Sequence, residues 1–376
     1  MIRHLVLLAL LAAGPAAAQS ITVGDVPQSV PETYVGDPPG REMRIWSRGL
    51  DVPWSLVFLP DGRALVSERP GRLRLIARDG TLAPEPVARV EVRARGEGGL
   101  MGIALHPDFP RQPFVYAMRT VEKNGVTNEV VRLRLEGERA TLDRVILGGI
   151  VGGTYHNGGR IGFGPDRMLY VTAGERFEAA LAQDPNALGG KILRVTPEGA
   201  IPPDNPFPGS PVWSLGHRNP QGLAWHPRTG ELFITEHGPS GEFGRRRDDE
   251  VNVVRKGGNY GWPLFIGAAR RAGYADPILL WRDTGAPPSG ATFWEGALMV
   301  ATLRSRALIR VAVEPGGPQG WQVTAIERWF STAPDRGSQG ELRDATDGPD
   351  GALYVLTNWE KRDGRADDRV LRISRR

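Results

Sequence analysis

Four short segments of the chain combine glycine with side chains that can move protons or hold ions. They are Gly96-Glu97-Gly98-Gly99-Leu100-Met101-Gly102, Tyr155-His156-Asn157-Gly158-Gly159-Arg160 and Gly216-His217-Arg218-Asn219-Pro220-Gln221-Gly222-Leu223. The fourth is split, running Glu236-His237-Gly238-Pro239, then Asp248-Asp249-Glu250-Val251-Asn252, then Gly257-Gly258-Asn259-Tyr260-Gly261-Trp262-Pro263. Glycine lets backbone approach a ligand closely. His156 carries an imidazole, a group that can serve as a general base. Taken alone, it is equally a loop histidine that only makes hydrogen bonds. Carboxylates beside exposed carbonyls form a site for a hard cation.

Cysteine is absent. Disulfides, thiolate zinc sites, iron–sulfur clusters, haem attached through thioethers and a cysteine nucleophile are therefore excluded. Any redox chemistry must use a bound organic cofactor or a metal held by oxygen and nitrogen. The net charge is +4, from 47 basic and 43 acidic residues with the signs interleaved. The basic run Arg245–Arg247 is followed at once by Asp248, Asp249 and Glu250. A nucleic-acid footprint would be a face of one sign, so no nucleic-acid partner is expected.

The polar segments must be carried by something, and the rest of the chain repeats one pattern. A turn, Pro-Asp-Gly or similar, is followed by an alternating strand and often by a second strand. The copies start at Pro60, Pro107, Pro165, Pro227, Trp294 and Pro349. They lead into Ala64–Glu68, Phe114–Met118, Met168–Thr172, Glu231–Thr235, Ala297–Thr302 and Ala352–Thr357. Second strands are legible at Leu73–Ile76, Lys191–Val195, Leu308–Val311 and Arg369–Ile373. Proline presets φ and glycine accepts positive φ, which suits both to such turns. With 49 Gly and 32 Pro in 376 residues, long-helix folds are disfavoured. Six copies at blade-sized spacing predict an all-β fold, a six-bladed β-propeller of four-stranded antiparallel blades. An irregular β-sandwich does not account for the recurring turn. Met43–Arg48 is placed to complete the last blade and close the ring. Site residues are then expected in loops at one end of the axis.

The expected organisation has three parts. Residues 1–18 read as a signal peptide: Arg3 and His4, an apolar run from Leu5 to Ala13, then Ala16-Ala17-Ala18 before Gln19. Cleavage near Ala18 would deliver a soluble periplasmic protein, and no other apolar run is long enough to span a bilayer. Residues 19–41 read as a loose extension, and 42–376 as the propeller.

From about Leu50 to the carboxyl end, these motifs and their order resemble the soluble glucose/sorbosone dehydrogenase family, closest to its aldose sugar dehydrogenase branch. Gly-His-Arg-Asn-Pro-Gln-Gly-Leu and Gly-Gly-Asn-Tyr-Gly-Trp-Pro are the specific signals. The family are six-bladed quinoproteins that use pyrroloquinoline quinone (PQQ) and calcium. The resemblance implies His156 as the general base that takes the sugar C1 hydroxyl proton while hydride passes to the quinone. Glu175 would orient that imidazole, where the family often has Asp. Arg218 and Asn219 match a pair beside the cofactor, with Arg218 stabilising charge on the quinone oxygen. Without the resemblance, Arg218 is equally an ion-pair residue between blades. His217 and Gln221 read as structural.

Arg304 falls where the family commonly has Lys, and Arg343 matches one of an Arg pair for the PQQ carboxylates. Glu341 stands where the other Arg is usual, which removes one cation unless Arg306 or another Arg compensates. Glu97 falls at the cofactor's edge. One Ca2+ would rest on the carbonyls of Gly238 and Pro239 and polarise the quinone. A second, structural Ca2+ would use Glu250 and the backbone of Tyr260, with Asp249. Oxygen-only ligands suit Ca2+ rather than zinc. Ser240–Arg247 is longer than the corresponding family segment, either a solvated surface insertion or a loop that reshapes access to the mouth. The expected activity is oxidation of an aldose at C1 to the lactone, with electrons leaving to a separate quinone or cytochrome. The alternatives are a propeller lactonase or hydrolase, and a sugar- or protein-binding propeller without catalysis.

Overall fold

Every strand of the repeat pairs antiparallel with the next, and the pairing produces six sheets of four strands around an axis. The computed structural model describes residues 21–358 and 367–376; the signal-peptide segment 1–18 lies outside them. The first blade is Pro53–Phe58, Ala64–Glu68, Arg72–Ile76 and Ala88–Arg89. The second is Leu100–Leu105, Phe114–Glu122, Val126–Glu136 and Arg139–Val151. The third is Ile161–Phe163, Leu169–Ala173, Lys191–Val195 and Val212–Leu215. The fourth is Asn219–Trp225, Leu232–His237, Asp249–Val254 and Leu279–Trp281. The fifth is Pro288–Trp294, Ala297–Thr302, Leu308–Pro315 and Trp321–Trp329. The sixth is Leu342–Asp347, Leu353–Thr357, Asp368–Arg375 and Arg41–Leu50. Among the described residues the only helical pieces are two 3-10 turns, Ala179–Ala182 and Glu242–Gly244.

The expected closure is present. Arg41–Leu50 pairs antiparallel with Asp368–Arg375, with Ile45 opposite Leu371, so the amino-terminal strand completes the last blade. The core is divided into wedges between adjacent blades. Leu65, Leu73 and Leu75 of the first blade pack with Val115, Ala117 and Leu133 of the second. Leu56 and Val66 of the first pack with Tyr354, Leu356 and Val370 of the sixth. Second strands such as Ala64–Glu68 and Ala297–Thr302 are covered on both faces and are buried throughout. The outermost strand Arg139–Val151 is mostly exposed. Burial therefore falls from the axis outward, as stacked blades require.

The extension is not loose where it is described. Thr22–Val23 pairs parallel with Phe265–Ile266, and Glu32–Val35 adds a parallel fifth strand outside Trp321–Trp329. Glu32 pairs with the buried Arg328 at 2.6 Å. Its Pro- and Gly-rich composition reads as a linker because the strand partners lie far away in sequence.

Antiparallel order decides where the loops emerge. Turns from first to second strand fall at one end of the ring. Loops from second to third strand, and links from one blade to the next, fall at the other end. A floor under that second end ties several blades across the axis. Arg160 and Asp344, both buried, form an ion pair at 2.9 Å, and Arg160 also lies 4.2 Å over the Trp54 ring. Arg160 donates to Ser55 Oγ and the Gln221 carbonyl, and Leu56 N donates to Asp344.

Candidate active site at the mouth of the propeller

The candidate residues come from the two loop classes that share one end. Glu97, His156 and Arg218 lie on links between blades, while Asn219 and Arg343 open the innermost strands that follow such links. Glu175, Gly238, Pro239 and Arg304 lie on loops from second to third strands, where Asp249 and Glu250 begin the third strand. Tyr260 belongs to the long connection 255–278, which starts at the opposite end. That connection climbs back along the third blade: Tyr260 N donates to Leu215 O at 2.9 Å and Trp262 N to Gly216 O at 3.0 Å.

His156 and Glu175 meet. The His156 ring, 4% exposed, is paired through Nδ1 with Glu175 Oε1. A neutral imidazole that gives its Nδ1 proton to a carboxylate keeps Nε2 as the acceptor. The loop that presents it is held from several sides. Glu97 Oε2 accepts the His156 amide at 2.9 Å, and Asn157 Oδ1 accepts the Gly153 amide at 2.9 Å. His156, Arg176 and Phe177 all have positive φ, at 56°, 49° and 66°. Gly174 must be glycine, since a Cβ there would sit 2.2 Å from the His156 carbonyl oxygen. Phe177 covers the imidazole, ring centroids 3.7 Å apart.

Arg218 is 2% exposed, and its backbone closes on the same loop: Glu175 N donates to Arg218 O at 3.0 Å. Asn219 Oδ1 accepts the Gly158 amide at 2.9 Å. His217 and Gln221 are buried and hydrogen-bonded within the protein. His217 bridges Glu236 and Ser214 at 2.9 Å each, and Gln221 Oε1 accepts from Arg343 at 3.0 Å. Burial brings the Arg343 guanidinium down to about 10. Glu341 is half-buried two residues earlier.

Several buried polar atoms here lack a protein partner: Glu175 Oε2, Asn219 Nδ2, His237 Nε2 and Arg343 Nε. Buried polar groups are nearly always paired, so this concentration suits a polar ligand. His237 is pushed down to about 3 by burial and by Arg218 and Arg343, which keeps it neutral. Beside it a cavity of about 390 Å³ is lined by Arg246, Arg247, Arg304, Gly238, Pro239 and Asp249, among others.

The third strand of the fourth blade separates the acidic candidates. Successive side chains on a strand point to opposite faces. Asp249 faces the cavity of Arg304 and accepts the Gly238 and Ala286 amides at 3.0 and 2.8 Å, while burial pushes it up to about 6. Asp248 and Glu250 line a second, small cavity with Glu236, Gly238, Pro239, Tyr260 and Trp262. Burial and the Glu236 carboxylate push Glu250 up to about 8. Among the described residues no group of three or more His, Asp or Glu side chains is placed to hold a metal ion. The Tyr260 hydroxyl is committed to the Val253 carbonyl at 2.6 Å.

Three contributors carried no clear sequence signal. Phe177 looks like an ordinary loop aromatic. Glu236 stands in the fourth polar segment with no role assigned to it; it is next to last in its strand and accepts from His217 and from the Arg218 amide. Glu242, inside the Ser240–Arg247 segment, pairs with Arg218.

Residues 50–371 match the model of the glucose/sorbosone dehydrogenase family. The chain is 33% identical over 342 residues to the aldose sugar dehydrogenase YliI of Escherichia coli K12, covering 82% of this chain and 88% of that protein. A solved structure from Thermus thermophilus, whose own assignment as an oxidoreductase (glucose dehydrogenase) is inferred, is 52% identical with a TM-score of 0.82. It covers 89% of this chain and 100% of that one. The PQQ-bound aldose sugar dehydrogenase of Streptomyces coelicolor is 37% identical with a TM-score of 0.78, covering 90% of this chain and 99% of that one. The His156–Glu175 pair thus sits on a matching fold and a matching sequence, and the chain belongs to the glucose/sorbosone dehydrogenase family.

Proposed function

We propose that the chain is an exported quinoprotein dehydrogenase that oxidises aldose sugars at C1 to the lactone, using PQQ and Ca2+ and passing electrons to a separate quinone or cytochrome. The observation that carries this reading is the His156–Glu175 pair, buried at the mouth beside Arg218. The names of the related enzymes support the substrate class and the cofactor. Bound PQQ would supply a quinone carbonyl that accepts hydride.

The residues at the mouth fit such an anion. Asn219 Nδ2 and Arg343 Nε are donors without protein partners, and Arg304 lines the adjoining cavity. Arg218, Asn219, Arg304 and Arg343 would hold the cofactor, with Glu97 at its border keeping the His156 amide in place. The carbonyls of Gly238 and Pro239 would hold one Ca2+. Glu250 and the Tyr260 backbone would hold a second, with Asp249 bracing the Gly238 amide.

In the chemical step His156 Nε2 takes the C1 hydroxyl proton. Glu175 fixes the tautomer and stabilises the imidazolium that results. Phe177 shields one face of the ring from water. Export rests on the signal-like residues 1–18, and the mass of the secreted chain checks cleavage near Ala18. Among the described residues no helix is long and apolar enough to cross a membrane.

The test is reconstitution of the purified chain with PQQ and Ca2+, followed by dye reduction with a panel of aldoses. Turnover that depends on PQQ and is lost on calcium chelation is expected. Absence of turnover with every aldose would overturn the reading.

A further inference from the structure

The Arg218 carbonyl accepts the Glu175 amide at 3.0 Å, yet its guanidinium is already occupied. Glu242 Oε1 accepts from both Nε and Nη2, and Ser240 Oγ lies 3.3 Å from Nη2. Both partners come from Ser240–Arg247, which joins the second and third strands of the fourth blade. A further contact, Nη1 to the His237 carbonyl at 3.2 Å, lies just before that segment, and the guanidinium also lies over the Phe177 and Trp262 rings at 5.8 and 5.5 Å.

The segment is built to present this carboxylate. Glu242 Oε2 accepts the Ser240 amide, and Ser240 bridges back to Arg246. Gly241, Phe243, Gly244 and Arg247 all have positive φ, which makes a tight, self-contained arch. Burial pushes the Glu242 carboxyl up, but Arg218 and the local amides outweigh it and hold it below the ordinary carboxylate range. Glu242 is therefore the resident counter-ion of Arg218. Phe243 is half exposed and touches the fold through the edge of Trp262, ring centroids 5.7 Å apart. Apart from Glu242 on Arg218, the arch is tied by Arg245 to Asp248 at 2.9 Å and by the Arg247 amide to the Pro239 carbonyl at 3.0 Å, both ties close to its own ends.

We propose that Ser240–Arg247 is a displaceable cap whose Glu242 carboxylate holds the anion position on Arg218 until an anionic ligand takes it. The proposal rests on the function given above only for the identity of that ligand, the PQQ anion. An anionic oxygen of the incoming ligand replaces the Glu242 carboxylate on the same guanidinium. The arch then lifts, and Arg218 remains paired throughout. Binding is weakened by the fraction of molecules whose cap is closed.

Two measurements on the full chain test this. The first needs no cofactor. Arg245, Arg246 and Arg247 are trypsin sites on the arch itself, and the last two are exposed. Glu242→Gln keeps the shape and removes the charge that anchors the arch, so cleavage there should be several-fold faster than in the wild type. Glu242→Asp should fall between the two. The second is equilibrium titration of PQQ followed by tryptophan fluorescence, in which Glu242→Gln should bind about tenfold more tightly. PQQ should also speed cleavage of the wild type at the arch. Unchanged cleavage in Glu242→Gln overturns the cap. Weaker PQQ binding in that variant also overturns it, because Glu242 would then belong to the ligand site. If PQQ binds neither protein, the functional reading falls while the cleavage comparison still decides the cap.

Discussion

The two ends of the propeller are made by the same strands and obey different rules. At the turn end three blades repeat one solution. Asp61, Asp166 and Asp350 each accept the amide two residues on, at 3.0, 3.2 and 3.1 Å. In the third and sixth blades the Asp also binds a Tyr hydroxyl and an Arg from the neighbouring strand. Asp166 meets Tyr170 and Arg194, and Asp350 meets Tyr354 and Arg372. At the mouth no two blades agree. Loops differ in length, and buried polar atoms stand without partners. One end minimises local energy blade by blade. The other stores unsatisfied groups in a shared space, which is where a ligand gains most.

The sharpest way to break this contrast is at His156. His156→Ala should lower turnover about 10²–10⁴-fold, the usual worth of a positioned general base. PQQ affinity, read by fluorescence, should change little. Retention of more than about a tenth of the rate would remove His156 from that role. Glu175→Gln should cost less, because the amide still fills the site but cannot stabilise the imidazolium.

Next in size is the floor between the two ends. Asp344→Ala leaves Arg160 buried without its carboxylate, and breaking such a pair from one side costs about 3–5 kcal/mol. Chemical denaturation should show it. A loss under about 1 kcal/mol would mean that water or a neighbouring acid replaces Asp344, and the floor would not be the tie inferred from its geometry.

Glycines compare the ends directly. At Gly351, φ is 76° and an added Cβ meets nothing within 4 Å, so Gly351→Ala should cost only the left-handed backbone penalty, ~1 kcal/mol. At Gly174 an added Cβ meets the His156 carbonyl and Asn219 Oδ1 at 2.2 and 2.8 Å. Gly174→Ala should cost ~1–3 kcal/mol by overpacking and should also lower activity, because the backbone that moves carries the base. Equal stability losses and full activity in both variants would erase the distinction between the ends.

The contrast also explains what could be read from the sequence. The turn end was legible because Pro-Asp-Gly solves a local problem with local residues, and repetition exposes it. Closure by Met43–Arg48 followed from needing one more strand. The His156–Glu175 pair was legible only through motif resemblance, since the partners sit on different loops of different type. Asp249 and Glu250 were grouped by adjacency, although strand alternation sends neighbours to opposite faces. Phe177 and the Glu242–Arg218 pair could not be read, because an arch without repeat or motif gives no hint of what it touches. The extension looked loose because Glu32 and Arg328 lie 296 positions apart in the chain.

The smallest effect separates the two ends by pH. His106 and His226 occupy equivalent turns in the second and fourth blades. Each accepts a backbone amide on Nδ1, from Asp108 at 3.0 Å and from Thr229 at 3.3 Å. Burial lowers both below the ordinary histidine value, and a protonated ring could not accept. Because the folded-state values are depressed, the unfolded chain binds more protons below about pH 6.5. Stability is then complete above that pH and is lost as the pH falls through it. At the mouth His237, held down to about 3, adds to the same loss over a wider window. In His106→Asn/His226→Asn the amide acceptor is kept and the titration removed. Urea midpoints should match the wild type at about pH 7.5 and fall less steeply between about pH 6.5 and 5. The slope that remains in the double variant belongs to the mouth. A slope unchanged from the wild type would assign the whole acid response to that end and leave the turn end insensitive to protons.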